Sequence, residues 1–186
     1  MPCHSSPQAP QRRPRGESGL TLIELAIATA IVSILVGLAL PSFQNFAQRQ
    51  RLEGAAAQLE TDLFLLRSEA VASQETLRIS FSQAAGGSCY VIHRGAANAC
   101  QCGAQGVMSC EGGAEVLRGV FLATAGGVQI LSNRASLVVD ATRGTVSPTA
   151  TMRLVSPGGE IRHVINIMGR VRSCSPDGSV NGYRRC

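Results

Sequence analysis

Residues 19–40 read Gly19-Leu20-Thr21-Leu22-Ile23-Glu24-Leu25 and then Ala-Ile-Ala-Thr-Ala-Ile-Val-Ser-Ile-Leu-Val-Gly-Leu-Ala-Leu to Leu40. From Leu20 the run is apolar apart from Thr21, Glu24, Thr29 and Ser33. Coiled as one helix it spans roughly 31 Å, the hydrocarbon thickness of a bilayer. Arg12, Arg13 and Arg15 precede it and no Arg lies inside it. That asymmetry predicts a leader on the cytoplasmic side and a chain exported beyond the helix. A secretory signal peptide fits poorly: the run is long, and no small-residue cleavage site is apparent before Pro41. Glu24 is harder still to place there, because an acid near the start of a membrane helix costs about 2–3 kcal/mol and implies a specific partner.

Residues 1–19 hold Pro2, Pro7, Pro10 and Pro14 and form no regular element. The junction from Gly19 to Leu25 resembles the processing motif of type IV prepilins and type II secretion pseudopilins. The resemblance implies cleavage by a prepilin peptidase between Gly19 and Leu20, with methylation of the new amino group at Leu20. In the family the residue after the cut is usually Phe; Leu20 has similar bulk. Glu24 then faces the new amine, or that of a neighbouring subunit, and acts as a registration device in assembly.

Beyond Pro41 a polar, helix-forming stretch continues to about Gln74. Leu52, Leu59, Leu63, Leu66 and Ala70 fall on one helical face, predicted to pack on a sheet. Glu53, Glu60, Asp62, Arg67 and Glu69 fall largely elsewhere. Gly37 and Pro41 are possible kinks. From Thr76 the pattern turns to short alternating runs at 77–81, 89–93, 116–122, 128–131, 137–139, 152–155 and 161–167, each a half-buried strand. Gly-Gly pairs beginning at 86, 112, 126 and 158 separate them. The expected fold is α+β and type IV pilin-like, a long amino-terminal helix packed on a small antiparallel sheet. Its organisation is a cleaved leader (1–19), a membrane or filament-core helix (20–41), a distal amphipathic helix (42–75), an exported β-rich domain (76–168) and an Arg-rich tail (169–186).

Composition narrows the chemistry. The 17 Lys and Arg residues of this 186-residue chain are all Arg, and the formal net charge is +5. Without lysine there is no phosphate-loop lysine, Schiff base or lysine general base. Seven Cys are encoded, and removal of the leader with Cys3 leaves an even set. In an oxidising compartment these favour disulfides. Cys174 and Cys186 bracket the last segment and are expected to pair. Cys89, Cys100, Cys102 and Cys110 enclose a Gly-rich loop and are expected to form two bridges of unassigned connectivity. Zinc is disfavoured for those four, which lack two Cys-x-x-Cys knuckles. His93 and His163 lie in no nucleophile or metal-ligand arrangement and read as surface or strand histidines. No catalysis, cofactor or metal is expected.

The tail concentrates the charge. Residues 169–186 carry Arg170, Arg172, Arg184 and Arg185 against the single acid Asp177. Pairing of Cys174 with Cys186 brings Arg184 and Arg185 beside Arg170 and Arg172, which alternate along an extended chain. Such a patch suits phosphate contact without base reading, and Tyr183 is available to stack on an exposed base. The string Gly169-Arg170-Val171-Arg172 resembles the DNA-binding tail of minor pilins in the GspH/FimT family. The resemblance implies double-stranded DNA as a partner during natural transformation, with Gly169 part of the motif. Other implied partners are pilins or pseudopilins through the helix, the prepilin peptidase and the inner membrane. The competing interpretations are a solvated strand end whose guanidinium groups pair with nearby acids, and a pseudopilus tip subunit of a type II secretion system.

Overall fold

The computed structural model describes residues 21–97 and 99–186; the leader, Gly19 and Leu20 lie outside them. Helix α1 (Leu22–Ser73) is followed by β1 (Leu77–Ala84), β2 (Gly87–Arg94), β3 (Cys100–Cys102), β4 (Met108–Cys110), β5 (Glu115–Ala123), β6 (Gln129–Ser132), β7 (Ser136–Val139), β8 (Val146–Ser147), β9 (Ala150–Ser156), β10 (Gly159–Ile165), β11 (Val171–Ser175) and β12 (Arg184–Arg185). Gly37 and Pro41 both lie within the helical span.

The chain divides into two compact units at Leu40 and Pro41. The first is the apolar part of α1, long and apolar enough to cross a membrane. Thr21 caps it: its Oγ1 accepts the Glu24 backbone N–H at 3.3 Å, one half of the capping pattern Thr21-x-x-Glu24, and the Glu24 charge favours the positive helix end.

The second unit holds the whole core. Leu52, Ala56, Leu59, Leu63, Leu66 and Ala70 are all buried, as their spacing predicts. They pack against two five-stranded sheets, in the orders β5-β2-β1-β7-β8 and β12-β11-β10-β9-β6, while β3 and β4 form a separate ribbon. Leu77, Ile79, Leu137 and Val139 of the first sheet and Ile130, Met152, Leu154, Ile161 and Ile165 of the second belong to one cluster with the helix. Because that cluster is complete between Leu52 and Val180, the second unit has what it needs to fold alone.

Three features differ from the sequence expectation. The strands fall into two larger sheets. The tail is part of the second sheet, as β11 and β12, with β12 parallel to β11. Asp62, one position beside the leucine stripe, is 1% exposed. Its Oδ2 accepts the Tyr90 hydroxyl at 2.7 Å, and its Oδ1 lies 2.9 Å from Arg118 Nε as an ion pair. Burial, with the Asp62 carboxylate beside it, pushes the Tyr90 hydroxyl far up. The helix is thereby tied to β2 and β5 by a polar contact inside the core.

Candidate functional site

The strand β10 leaves the core at Ile165, two residues before the apolar run ends, and residues 166–170 form a tight turn. Gly169 N–H donates to Asn166 O at 2.9 Å, and Arg170 N–H donates to Asn166 Oδ1 at 2.9 Å. Gly169 sits at φ +72°, and a Cβ there would lie 3.0 Å from Arg67 Cδ. The positive φ favours glycine, and any side chain there would have to displace Arg67 slightly. Arg67 of the helix runs between this turn and the preceding loop, donating from Nε to Gly144 O at 3.0 Å.

From this turn β11 returns antiparallel to β10, with Val164 opposite Arg172 and Arg162 opposite Cys174. On its far side β12 pairs Arg184 with Cys174 and Arg185 with Ser175. Cys174 and Cys186 are disulfide-bonded. The intervening loop is ordered from within: Asp177 Oδ1 accepts from the Ser179 hydroxyl at 2.8 Å and from the Ser179 N–H at 3.1 Å. Those bonds hold the Asp177 carboxyl below its usual range. The helix also reaches this loop, Arg49 Nη2 donating to Ser179 O at 2.8 Å.

The result is an open groove of about 780 Å³ lined by Val164, Arg172, Ser173, Arg184, Arg185 and the disulfide. All three arginines are exposed. Among the described residues every salt bridge is made by Arg94, Arg118, Arg153 or Arg162, and none by Arg172, Arg184 or Arg185. Asp177, the one acid of the segment, is engaged with serines.

Arg170 is not among the groove residues. It lies before β11 and is exposed, so three of the four tail arginines line the groove. Tyr183 also differs from expectation. It is half-buried against the core, where burial and the Glu60 and Glu53 charges raise its hydroxyl.

His93 and His163 are strand residues but neither is on the surface: both are fully buried. His163 Nδ1 lies 2.8 Å from Ser173 Oγ, which donates its proton to Glu60 Oε2 at 3.0 Å. Nδ1 must therefore be the donor to Ser173. The serine proton points at the acid and not at the imidazole, the reverse of what an activated serine nucleophile requires. The chain of bonds instead fastens β11, behind Arg172, to the helix. His93 accepts from Ser80 Oγ at 2.8 Å, with Nδ1 3.2 Å from Arg94 O. Among the described residues the other four cysteines pair as Cys89–Cys102, which joins the β3–β4 ribbon to β2, and Cys100–Cys110, which links β3 to β4.

Burial lowers both imidazoles below their ordinary value of 6.5. The unfolded chain then takes up protons below pH 6.5 while the folded one does not, so stability is constant above that pH and falls as pH drops towards the folded values. The urea midpoint of residues 41–186 is expected to fall between pH 7.5 and pH 5, and His163→Gln should shallow the fall. A midpoint flat over that interval would contradict the neutral, buried state of these rings.

A family model described as type II transport protein GspH matches residues 55–169. A second, described as a prokaryotic N-terminal methylation motif, matches residues 14–40. Arg172, Arg184 and Arg185 lie beyond both matches. Among solved structures, the type IV minor pilin FimU of Pseudomonas aeruginosa (strain PAO1) is 21% identical, with the match covering 68% of this chain and 90% of that chain at a TM-score of 0.49. The minor pseudopilin EpsH from the type 2 secretion system of Vibrio cholerae is 16% identical, covering 68% of this chain and 98% of that chain at a TM-score of 0.46.

Proposed function

Given that the chain belongs to the GspH family and carries an amino-terminal methylation motif, and so is a minor pilin or pseudopilin, we propose that it is a minor type IV pilin whose carboxyl-terminal groove binds extracellular duplex DNA without sequence preference, for natural transformation. The observation that carries this reading is the groove, in which Arg172, Arg184 and Arg185 are exposed and unpaired among the described residues. Guanidinium groups so arranged suit phosphate oxygens. The role is structural and adhesive, with no catalytic step.

In this reading the leader is cytoplasmic, the helix crosses the inner membrane, and the globular domain is periplasmic until the subunit joins a filament. Prepilin peptidase cuts between Gly19 and Leu20, and Leu20 becomes the methylated amino terminus. Glu24 then pairs with the amine of a neighbouring pilin. Mass spectrometry of the membrane-extracted protein should give a mature chain starting at methylated Leu20, and Gly19→Val should leave the leader attached. A Gly19→Val protein cut like the wild type would remove the processing assignment.

The groove itself is tested by binding of residues 41–186, oxidised, to a random-sequence duplex over a salt series. Three phosphate contacts predict a slope of about −3 in log K against log salt. Arg172→Ala should reduce its magnitude by about 1 and weaken binding on all sequences alike. Arg170→Ala, outside the groove, should do less. Equal losses from the two would mean that the tail acts by charge alone, and no binding at low salt would end the DNA reading.

The family description favours a second reading, a pseudopilus tip subunit of a type II secretion system. The same arginines would then contact a neighbouring tip subunit. Loss of protein secretion in a deletion strain, without loss of DNA uptake, would select it.

A further inference from the structure

The outer face of the second sheet continues the groove's chemistry. Residues on β10 alternate: Ile161, His163 and Ile165 face the core, while Glu160, Arg162 and Val164 face away from it. The pairing registers set one row across that outer face. Arg184 lies opposite Cys174, Cys174 opposite Arg162, Arg162 opposite Arg153, and Arg153 opposite Leu131. Arg172 stands in the adjacent row beside Val164. Strands lie 4.7–4.9 Å apart, so Arg184 and Arg153 are three spacings, about 14 Å, from each other. That is about four rises of a B-form duplex at 3.4 Å each.

Arg153 and Arg162 differ from the groove arginines in sharing a carboxylate. Arg153 meets Glu160 through Nε–Oε1 and Nη2–Oε2, both 2.8 Å, and Arg162 Nε reaches Oε1 at 2.6 Å. Their side chains are nevertheless 44% and 36% exposed. Each guanidinium has five N–H donors; these contacts use two on Arg153 and one on Arg162. Two cations on one acid also leave the cluster a net positive charge. Glu160 therefore holds both planes in place without neutralising them.

We infer that the DNA-contacting surface does not end at the carboxyl-terminal groove but continues across the open face of the second sheet to Arg162 and Arg153, with Glu160 as the resident anion that positions those two guanidinium groups and competes with phosphate for them. This rests on the DNA reading of the groove and enlarges it, from a tail to a sheet face spanning β12 to β9.

The test uses oxidised residues 41–186 and a random-sequence 30-base-pair duplex, with Arg78→Ala on the first sheet as the control. Arg162→Ala and Arg153→Ala are each expected to weaken binding by about threefold or more at 0.1 M salt and to reduce the salt slope by about 0.9. Glu160→Gln keeps the size of the side chain and removes its charge; it should tighten binding by about threefold or more and steepen the slope. A gain of this kind cannot come from misfolding, and urea midpoints check the two alanine variants. If Arg172→Ala weakens binding while the Arg153, Arg162 and Glu160 variants match wild type, the sheet face is excluded and the groove stands alone. If the unaltered domain does not bind at low salt, both fall.

Discussion

If the groove binds duplex DNA as proposed, replacing Cys174 and Cys186 together by Ser will lower that affinity by about tenfold or more. The strand that carries Arg184 and Arg185 is only two residues long and is held by two register pairs. A strand so short does not hold itself in place against the backbone entropy of ordering it, about 1–2 kcal/mol per residue. The disulfide closes a loop with a sequence separation of 12, a constraint worth about 3 kcal/mol in the chain-entropy account. Without it β12 and its two guanidinium groups leave the groove. They must then be ordered again at each binding event. Val180 and Tyr183 pack on the core from within this loop, so the urea midpoint is also expected to fall, by the equivalent of about 3 kcal/mol at most. Fluorescence anisotropy on the oxidised wild type and the double serine variant measures the effect. Equal affinities would mean that the groove is not the binding element.

Asp62→Ala is expected to destabilise the domain by about 3 kcal/mol, the largest single-residue effect among the polar groups of the core. The change leaves the buried Tyr90 hydroxyl without its acceptor and Arg118 without its partner. A buried donor left unpaired costs about 1–3 kcal/mol. Loss of one member of a buried ion pair costs about 3–5 kcal/mol. The Arg118 side chain is 44% exposed and turns to water, which places the total near the lower of those ranges. For a unit of this size that is a fall in Tm of roughly 10 °C. Asp62→Asn keeps an acceptor for Tyr90 and should cost less. An Asp62→Ala domain melting within 2 °C of wild type would show that the network is not a structural tie.

The helix and its buried stripe were legible because a 3.6-residue period repeated over Leu52, Leu59, Leu63, Leu66 and Ala70 leaves little choice of face. The strands β1, β2, β5, β6, β7, β9 and β10 were legible from alternation and Gly-Gly turns for a similar reason. What sequence did not disclose depends on partners distant along the chain. Nothing local says that β6 pairs with β9 while β5 pairs with β2, so the division into two sheets was out of reach. Asp62 looks like a solvent residue until Tyr90 and Arg118 are brought to it from 28 and 56 positions away. The Thr21-x-x-Glu24 box could have been read, since the spacing is its own signal. In the tail, charge clustering pointed to the right segment. Three of its four arginines line the groove, and Arg170 lies in the turn at Gly169, before β11. The contact of Gly169 with Arg67, a helical residue a hundred positions earlier, is invisible locally.

Three helical side chains hold the arginine-bearing edge: Arg49 at the 176–182 loop, Glu60 at Ser173 and Arg67 between Gly144 and Gly169. They are spread over about 27 Å of helix at 1.5 Å per residue. The groove is therefore braced along a length and not hung from a point. A pull on anything seated there is divided among three separate attachments to the helix and along the β10–β11 ladder, which is loaded in shear when the force runs along the strands. The same helix begins with the apolar segment proposed to anchor the subunit. On the proposed reading the load path from a bound duplex to the helix is thus short, and one of its three branches, from Arg67, runs through Gly144 in the β7–β8 loop of the first sheet.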